Sequence, residues 1–352
     1  MVYIYILFLI IALCAERKAK NKRFWRILIP LVYSALVGFR GIDVGIDTHT
    51  YYDSYYVGGA EGLGFIEPGF DWINTHLYKW GFNANFSFFV YALLTNFFFF
   101  LVLESIPQKR YTLSAFCLYF LTYTALINGI RQDLACAIFL YAFTYIKREK
   151  PLIYAGLLIL GSLFHASVLI MLPFYFLKRI NFTPKVYLFV YLISFIGVFA
   201  DISAYVPSIE LFNRDYGRYT DDIRMEDASW LGFFITNLIN FITLLFIINT
   251  RLYKDQKELC LLSLFYFVFT NLGFHLPIIS RVATFFWWFT YLLYAVIWEN
   301  QRQYSSKGLY AIGVAMLILF NTLIIGNNVI KDNYQYYFYW ENRPANFTHK
   351  YT

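Results

Sequence analysis

Seven ionisable residues stand at the edges of otherwise apolar runs: Arg40, Asp47, Arg131, Asp133, His165, His275 and Arg281. A guanidinium is a planar, permanently charged fork that matches phosphate oxygens, and carboxylates and imidazoles are the ordinary groups for moving protons. Charge beside apolar segments is costly unless it is paired or solvated, so these positions are candidates for chemistry rather than for packing. Local pairing stays open as the alternative: Asp47 with Arg40, Asp133 with Arg131, and His165 as the cap of a helix break. Arg214, Arg218 and Arg224 in "LFNRDYGRYTDDIR" add three more forks, with Asp215, Asp221 and Asp222 close enough in sequence to neutralise them. The densest cluster is "GFRGIDVGIDTHTYYDSYY", residues 38–56, with one Arg, three Asp, one His and four Tyr. Its "YYDSYY" and the later "YQYYFYW" (334–340) suit either sugar stacking or the aromatic belt of a membrane interface, and the belt is the reading expected here.

Other catalytic plans are poorly served. His49, His76 and His349 read as solvated loop residues, no His and carboxylate set has the spacing of a catalytic zinc site, and no nucleophile elbow occurs. No metal or other cofactor is expected. Cys14, Cys117, Cys136 and Cys260 lie far apart within apolar runs, as small packing residues do.

The elements that must hold these groups are membrane helices. Of 352 residues, 59% are hydrophobic and 14% charged, and the apolar residues come in runs of about 15 to 20 separated by short charged connectors. A helix satisfies its own backbone hydrogen bonds, which is what a lipid environment demands. The net charge of +7 does not point to nucleic acid, because 19 of the 29 Lys and Arg fall in connectors at 16–26, 104–110, 147–151, 178–185, 250–258 and 300–308. The positive-inside rule places those connectors in the cytoplasm. Spans are predicted at 1–15, 24–38, 86–103, 111–127, 132–146, 186–200, 231–249, 259–276, 282–299 and 309–326. The run 1–15 is followed by its charges, "ERKAKNKR", the reverse of a cleaved leader, so it is expected to be retained with its N-terminus outside.

Residues 152–177 break the count, because basic residues flank them on both sides. A hairpin turning near "LFHAS" (163–167) resolves this. Each arm of about a dozen residues is roughly 18 Å long, too short to cross about 30 Å of hydrocarbon, so a re-entrant pair is expected. The predicted fold is therefore all-α: one polytopic transmembrane domain over 1–352 with about ten spans and the hairpin. Both termini would be extracytoplasmic, and the extracytoplasmic segments would be 39–85, 201–230 and 327–352. The chemistry-bearing residues then gather at the outer face.

Four stretches in this order among the spans, "GFRGIDVGIDTHTYYDSYY", "EPGFDWIN" (67–74), "NGIRQDLACAIFLYAFTYI" (128–146) and "LFHASVLIMLPFY" (163–175), resemble the EpsG-type branch of the Wzy-like polysaccharide polymerases. The resemblance covers roughly the first half of the chain. It implies a bacterial cytoplasmic-membrane enzyme with a GT-C-like helical core, which lengthens polysaccharide such as exopolysaccharide, capsule or O-antigen from repeat units carried on undecaprenyl diphosphate. A chain-length regulator and a flippase would be its protein partners. Within that reaction Arg40, Arg131 and Arg281 are expected at the departing diphosphate, and Arg214, Arg218 or Arg224 at a second carrier. Asp47 or His165 is the expected base, with Glu67 next in line, and Tyr51 and Gln132 are expected on sugar. An O-antigen ligase or another lipid-linked sugar transferase would use the same donor. A flippase would spread its ionisable residues through the membrane, whereas here they crowd one edge.

Overall fold

A computed structural model describes residues 2–45, 47–61, 67–121, 128–199, 230–274, 277–299 and 338–340. Among these residues the secondary structure is helical, without strands, and nine of the ten expected spans coincide with helices. They are α1 (Val2–Lys18), α2 (Lys22–Gly38), α5 (Ala84–Glu104), α6 (Gln108–Leu121), α7 (Ile130–Lys147), α9 with its short continuation α10 (Pro184–Ser194 and Ile196–Phe199), α11 (Trp230–Asn249), α13 (Lys257–Leu272), which follows the one-turn α12 (Leu252–Asp255), and α14 (Pro277–Glu299). The expected span 309–326 lies outside the described residues. Ala84–Glu104 and Gly232–Asn249 are long and apolar enough to cross a bilayer by length and composition. Leu7, Phe24, Ile27, Phe97, Phe189 and Leu192 on these helices are exposed, the arrangement lipid rather than water tolerates.

The described chain forms two compact units. One comprises Met1–Tyr145, Leu152–Leu172 and Leu323–Thr352, the other Ile146–Pro151 and Pro173–Thr322. In the first, α2 lies along α5, and buried polar pairs such as Asn96 Nδ2 to Ser34 Oγ (2.8 Å) fix their register. Buried Glu16 is paired: Arg26 bonds Glu16 (3.0 Å), Glu104 (2.7 Å) and Gln108, and its guanidinium covers the Tyr111 ring. In the second unit Tyr191 bonds Asn237 (2.9 Å) and Asn271 bonds Ser194 (2.8 Å), and Phe174, Phe265, Phe269 and Phe286 form an aromatic cluster.

The segment 39–85, expected only as an outer connection, carries two helices: α3 (Thr48–Glu61) and α4 (Pro68–Lys79). His49 and His76, expected in loops, lie on them. Pro68 sits at the first helical position, where its missing N–H is not needed, and Glu67 precedes it at the N-terminal boundary. Asn83 then caps α5 by accepting from the Phe86 amide (3.0 Å).

The chain folds back on itself at 163–165. α8 (Pro151–Ser162) stops there and a 3₁₀ segment, Ala166–Arg179, returns. The Tyr154 hydroxyl donates to the Met171 carbonyl at 2.6 Å, although 17 residues of continuous helix would hold them about 25 Å apart. Nearer the tip Gly161 faces Val168, and at the base Lys178 bonds Glu149 at 2.7 Å. The two arms are antiparallel, and exposed Leu152, Ile159, Ile170 and Phe176 line their outside.

Candidate functional site

The tip of this hairpin meets the start of α4, and three of the sequence stretches converge there. The amides of Gly69 and Phe70 donate to the Leu163 carbonyl (2.8 and 3.3 Å), so the unsatisfied N–H groups of a helix start are met by a carbonyl at a helix break. This close approach requires glycine: a Cβ at position 69 would lie 2.8 Å from the Leu163 oxygen and 2.9 Å from its Cβ. Phe70 is buried, stacked on Tyr91 with ring centroids 4.9 Å apart, and the Tyr91 hydroxyl returns to the Phe70 carbonyl at 3.0 Å. Each residue of "EPGF" thus has a task, and together they deliver the Glu67 carboxylate to a fixed place.

Glu67 joins two groups that sequence reading named separately. Its Oε2 accepts from Arg131 Nη1 at 2.5 Å and its Oε1 lies 3.2 Å from His165 Nδ1. Burial works against the ionised form of Glu67, but the His165 hydrogen bond and the Arg131 charge prevail and hold the carboxyl below its ordinary range. An ionised carboxylate only accepts, so the neutral His165 ring carries its proton on Nδ1 and its lone pair on Nε2. His165 also opens the second arm, its carbonyl accepting from the Val168 amide (3.1 Å).

Arg131 is held on the first turn of α7, 5.5 Å from the Phe70 ring centroid and 6.0 Å from that of Tyr51. Its side chain keeps 31% of its exposure, and Glu67 engages one edge of a fork with five N–H donors. Tyr51 is half-buried on α3. Burial raises its phenol and the Arg131 charge opposes this only in part, with Asp47 adding to the upward push, so the hydroxyl stays protonated. Asp47 is exposed just before α3, and Gln132 is half-buried beside Arg131. The local pairing considered for Arg131 with Asp133 is replaced by the bond to Glu67, 64 residues away.

Arg40 lies deeper in the fold. It is fully buried, with Nε bonded to the Val44 carbonyl and Thr48 Oγ1 (both 3.1 Å) and Nη1 to the Val37 carbonyl (2.5 Å). The guanidinium lies 4.7 Å from the Phe88 ring centroid. Val37 is in the last turn of α2, where carbonyls lack helical partners, so Arg40 caps that helix and knits the turn leading into α3. Asn85 secures the same turn through the Gly38 and Arg40 carbonyls (3.3 and 2.7 Å). The Tyr339 amide donates to the Phe39 carbonyl at 3.1 Å, and Arg40 and Phe338 form an isolated antiparallel bridge. Arg40 thus braces the loop between α2 and α3.

Arg281 lies in the second unit, half-buried near the start of α14. Arg214, Arg218, Arg224 and His275 lie outside the described residues. Sequence reading placed Glu67 next in line as the base and gave Gly69, Phe70 and the Leu163 carbonyl no role of their own. The signal for them was "EPGF" itself, an acidic residue set before a proline at a helix start.

No curated protein and no solved structure shows significant similarity to the chain. The EpsG family model, in contrast, matches residues 22–341, a range that takes in the Arg40 loop, the Glu67 cluster and all of the second unit up to the last expected span. The motifs, their convergence and this match agree, and the chain belongs to the EpsG family of Wzy-like polysaccharide polymerases, membrane proteins of glycosyltransferase-like activity.

Proposed function

We propose that the chain polymerises oligosaccharide repeat units carried on undecaprenyl diphosphate, at the outer face of the bacterial cytoplasmic membrane. In each transfer the bond between the anomeric carbon and the diphosphate oxygen breaks. A glycosidic bond to a hydroxyl of the next lipid-linked unit forms. The hydroxyl proton passes to His165 Nε2, and the negative charge that collects on the departing diphosphate meets Arg131. A fixed cation aimed at developing charge stabilises the transition state more than the ground state, usually the largest single contribution to such catalysis. Glu67 keeps the His165 proton on Nδ1 and orients both partners, and the Tyr51 hydroxyl is a donor for sugar or phosphate oxygen. Asp47 and Gln132 border this cluster as sugar-binding candidates. By residue type alone, Arg281, Arg214, Arg218 and Arg224 suit a second lipid diphosphate. The ten-span topology, with the hairpin re-entering from the cytoplasmic side and both termini outside, brings the cluster to the outer face.

The observation that carries this reading is the Glu67 carboxylate bonded at once to Arg131 and His165. Cells producing the Arg131→Ala or the His165→Ala chain should contain it in the membrane at normal level, lose the ladder of polymer lengths and accumulate single lipid-linked units. A normal ladder in both variants overturns the proposal. A single transfer onto another acceptor by the unaltered chain supports a ligase instead.

A further inference from the structure

α4 pairs with the first half of α5, a helix of 21 residues that is long and apolar enough to cross a bilayer. Ser87 Oγ donates to Asn74 Oδ1 (2.6 Å). One turn further along α5 the Tyr91 ring stacks on Phe70, one turn earlier in α4. The two helices therefore run antiparallel, and the start of α4 lies beside Tyr91. At 1.5 Å per residue α5 is about 31 Å long, no more than the hydrocarbon thickness, and Tyr91 is roughly 10 Å from its Ala84 end.

The hairpin measures the same depth from the other side. α8 has 12 residues, so an arm of about 18 Å that starts at one edge of a roughly 30 Å core stops about 12 Å short of the other. Its tip is where the Gly69 and Phe70 amides bond the Leu163 carbonyl. Two separate elements thus set the first turn of α4 about 10 to 12 Å below the outer edge of the core.

One face of α4 is uncovered at that depth. Phe70, Asn74 and Leu77 are buried, whereas Trp72 and Trp80 are 60% and 67% exposed. His76 stands between them, its ring centroid 4.3 Å from that of Trp72 and 6.0 Å from that of Trp80, so the three rings form a row along the helix. Such a row is unfavourable in water and suits a lipid leaflet, where Trp is at home near the headgroups. α5, the partner of α4, likewise exposes Leu93 and Phe97.

We propose that α4 is a re-entrant half-helix in the outer leaflet and that its Trp72–His76–Trp80 row is a lipid-contact surface, with Trp72 among acyl chains and Trp80 at the headgroups. α4 then screens the Glu67 cluster from lipid on this side. Asp71, exposed about 100° round the helix from Trp72, faces the water that a charge at this depth requires. The proposal rests on α5 and the hairpin and holds whatever reaction the cluster performs.

The test uses the full chain in nanodiscs of phosphatidylcholine and phosphatidylglycerol, with Cys14→Ser removing the exposed native thiol. Single nitroxide labels go on Trp72→Cys, Trp80→Cys, Leu93→Cys and Asp53→Cys, and collisions with oxygen and with a water-soluble nickel chelate are compared. The ratio of oxygen to nickel collisions should be several-fold higher at positions 72 and 93 than at 53, with 80 between. Equal ratios at 72 and 53 put α4 in water and overturn the proposal, as does a label at 80 that lies deeper than the one at 72. Unlabelled variants give a second reading: Trp72→Leu should melt within about 2 °C of wild type, and Trp72→Lys several degrees lower. A Trp72→Lys chain as stable as Trp72→Leu also overturns it.

Discussion

Replacing Gly69 with Ala removes none of the chemistry-bearing side chains but displaces the contact that positions them. The added methyl would sit 2.8 Å from the Leu163 oxygen and 2.9 Å from its Cβ, about 0.6 Å inside ordinary contact. The Leu163 carbonyl is fixed by the helix break, so the start of α4 must back away. Glu67 is two residues upstream, and its 3.2 Å contact with His165 has little slack before it passes the hydrogen-bond limit. Overpacking of this kind costs about 1–3 kcal/mol, while misplacing a catalytic group by less than 1 Å costs roughly 10- to 100-fold in rate. Gly156→Ala is the matched control, since it lies within α8 and a methyl there meets nothing within 4 Å. Turnover of extracted lipid-linked units and thermal melting should be measured on both variants. Gly69→Ala should melt a few degrees lower and polymerise about 10- to 100-fold more slowly, with Gly156→Ala at or slightly above wild type in both. Equal turnover in the two variants would refute the claim that α4 docked on the hairpin tip sets the site.

Arg40→Ala should act through stability, because the Val37 carbonyl loses a charge-assisted bond and the turn into α3 loses its brace. A loss of about 3 kcal/mol is expected, with the folded fraction polymerising within about threefold of the wild-type rate, measured by melting and by turnover per folded molecule. An Arg40→Ala chain that melts like wild type but does not polymerise would return Arg40 to the substrate. The acid limit should follow Glu67. Its carboxyl is held below the value of the unfolded chain, so its contribution is fully present above that value and is lost as pH falls through the folded one. The gap in melting temperature between wild type and Glu67→Gln should stay constant from about pH 5.5 to 8 and begin to narrow as pH falls below about 4.3. A gap that widens as pH falls contradicts the ion pair.

The helices were legible because an apolar run of 15 to 20 residues has few other ways to satisfy its backbone, and the helices Val2–Lys18, Ala84–Glu104 and Trp230–Asn249 overlap the runs expected at 1–15, 86–103 and 231–249. The fold-back at 163–165 was legible from charge, since Lys147, Arg148 and Lys150 before it and Lys178, Arg179 and Lys185 after it belong on one side. The site was legible in its parts but not in its wiring. Nothing local in the sequence says that Glu67 will find a histidine 98 residues later. The buried setting of Arg40 was illegible for a related reason. An arginine after a span has the type of an anion ligand, and only the backbone path of the following turn shows its donors used by Val37, Val44 and Thr48. Tyr339 pairing with Phe39 is equally non-local, and "YQYYFYW" carried no hint of it.

The central claim is that Glu67 and His165 act as one unit in chain lengthening, and the direct measurement is a double-mutant cycle on turnover of the extracted lipid-linked unit. Glu67→Gln alone should lose roughly 10- to 100-fold and His165→Ala alone roughly 100- to 1,000-fold, with the double variant within about twofold of His165→Ala. Losses that multiply in full would show the two residues acting independently and contradict the account.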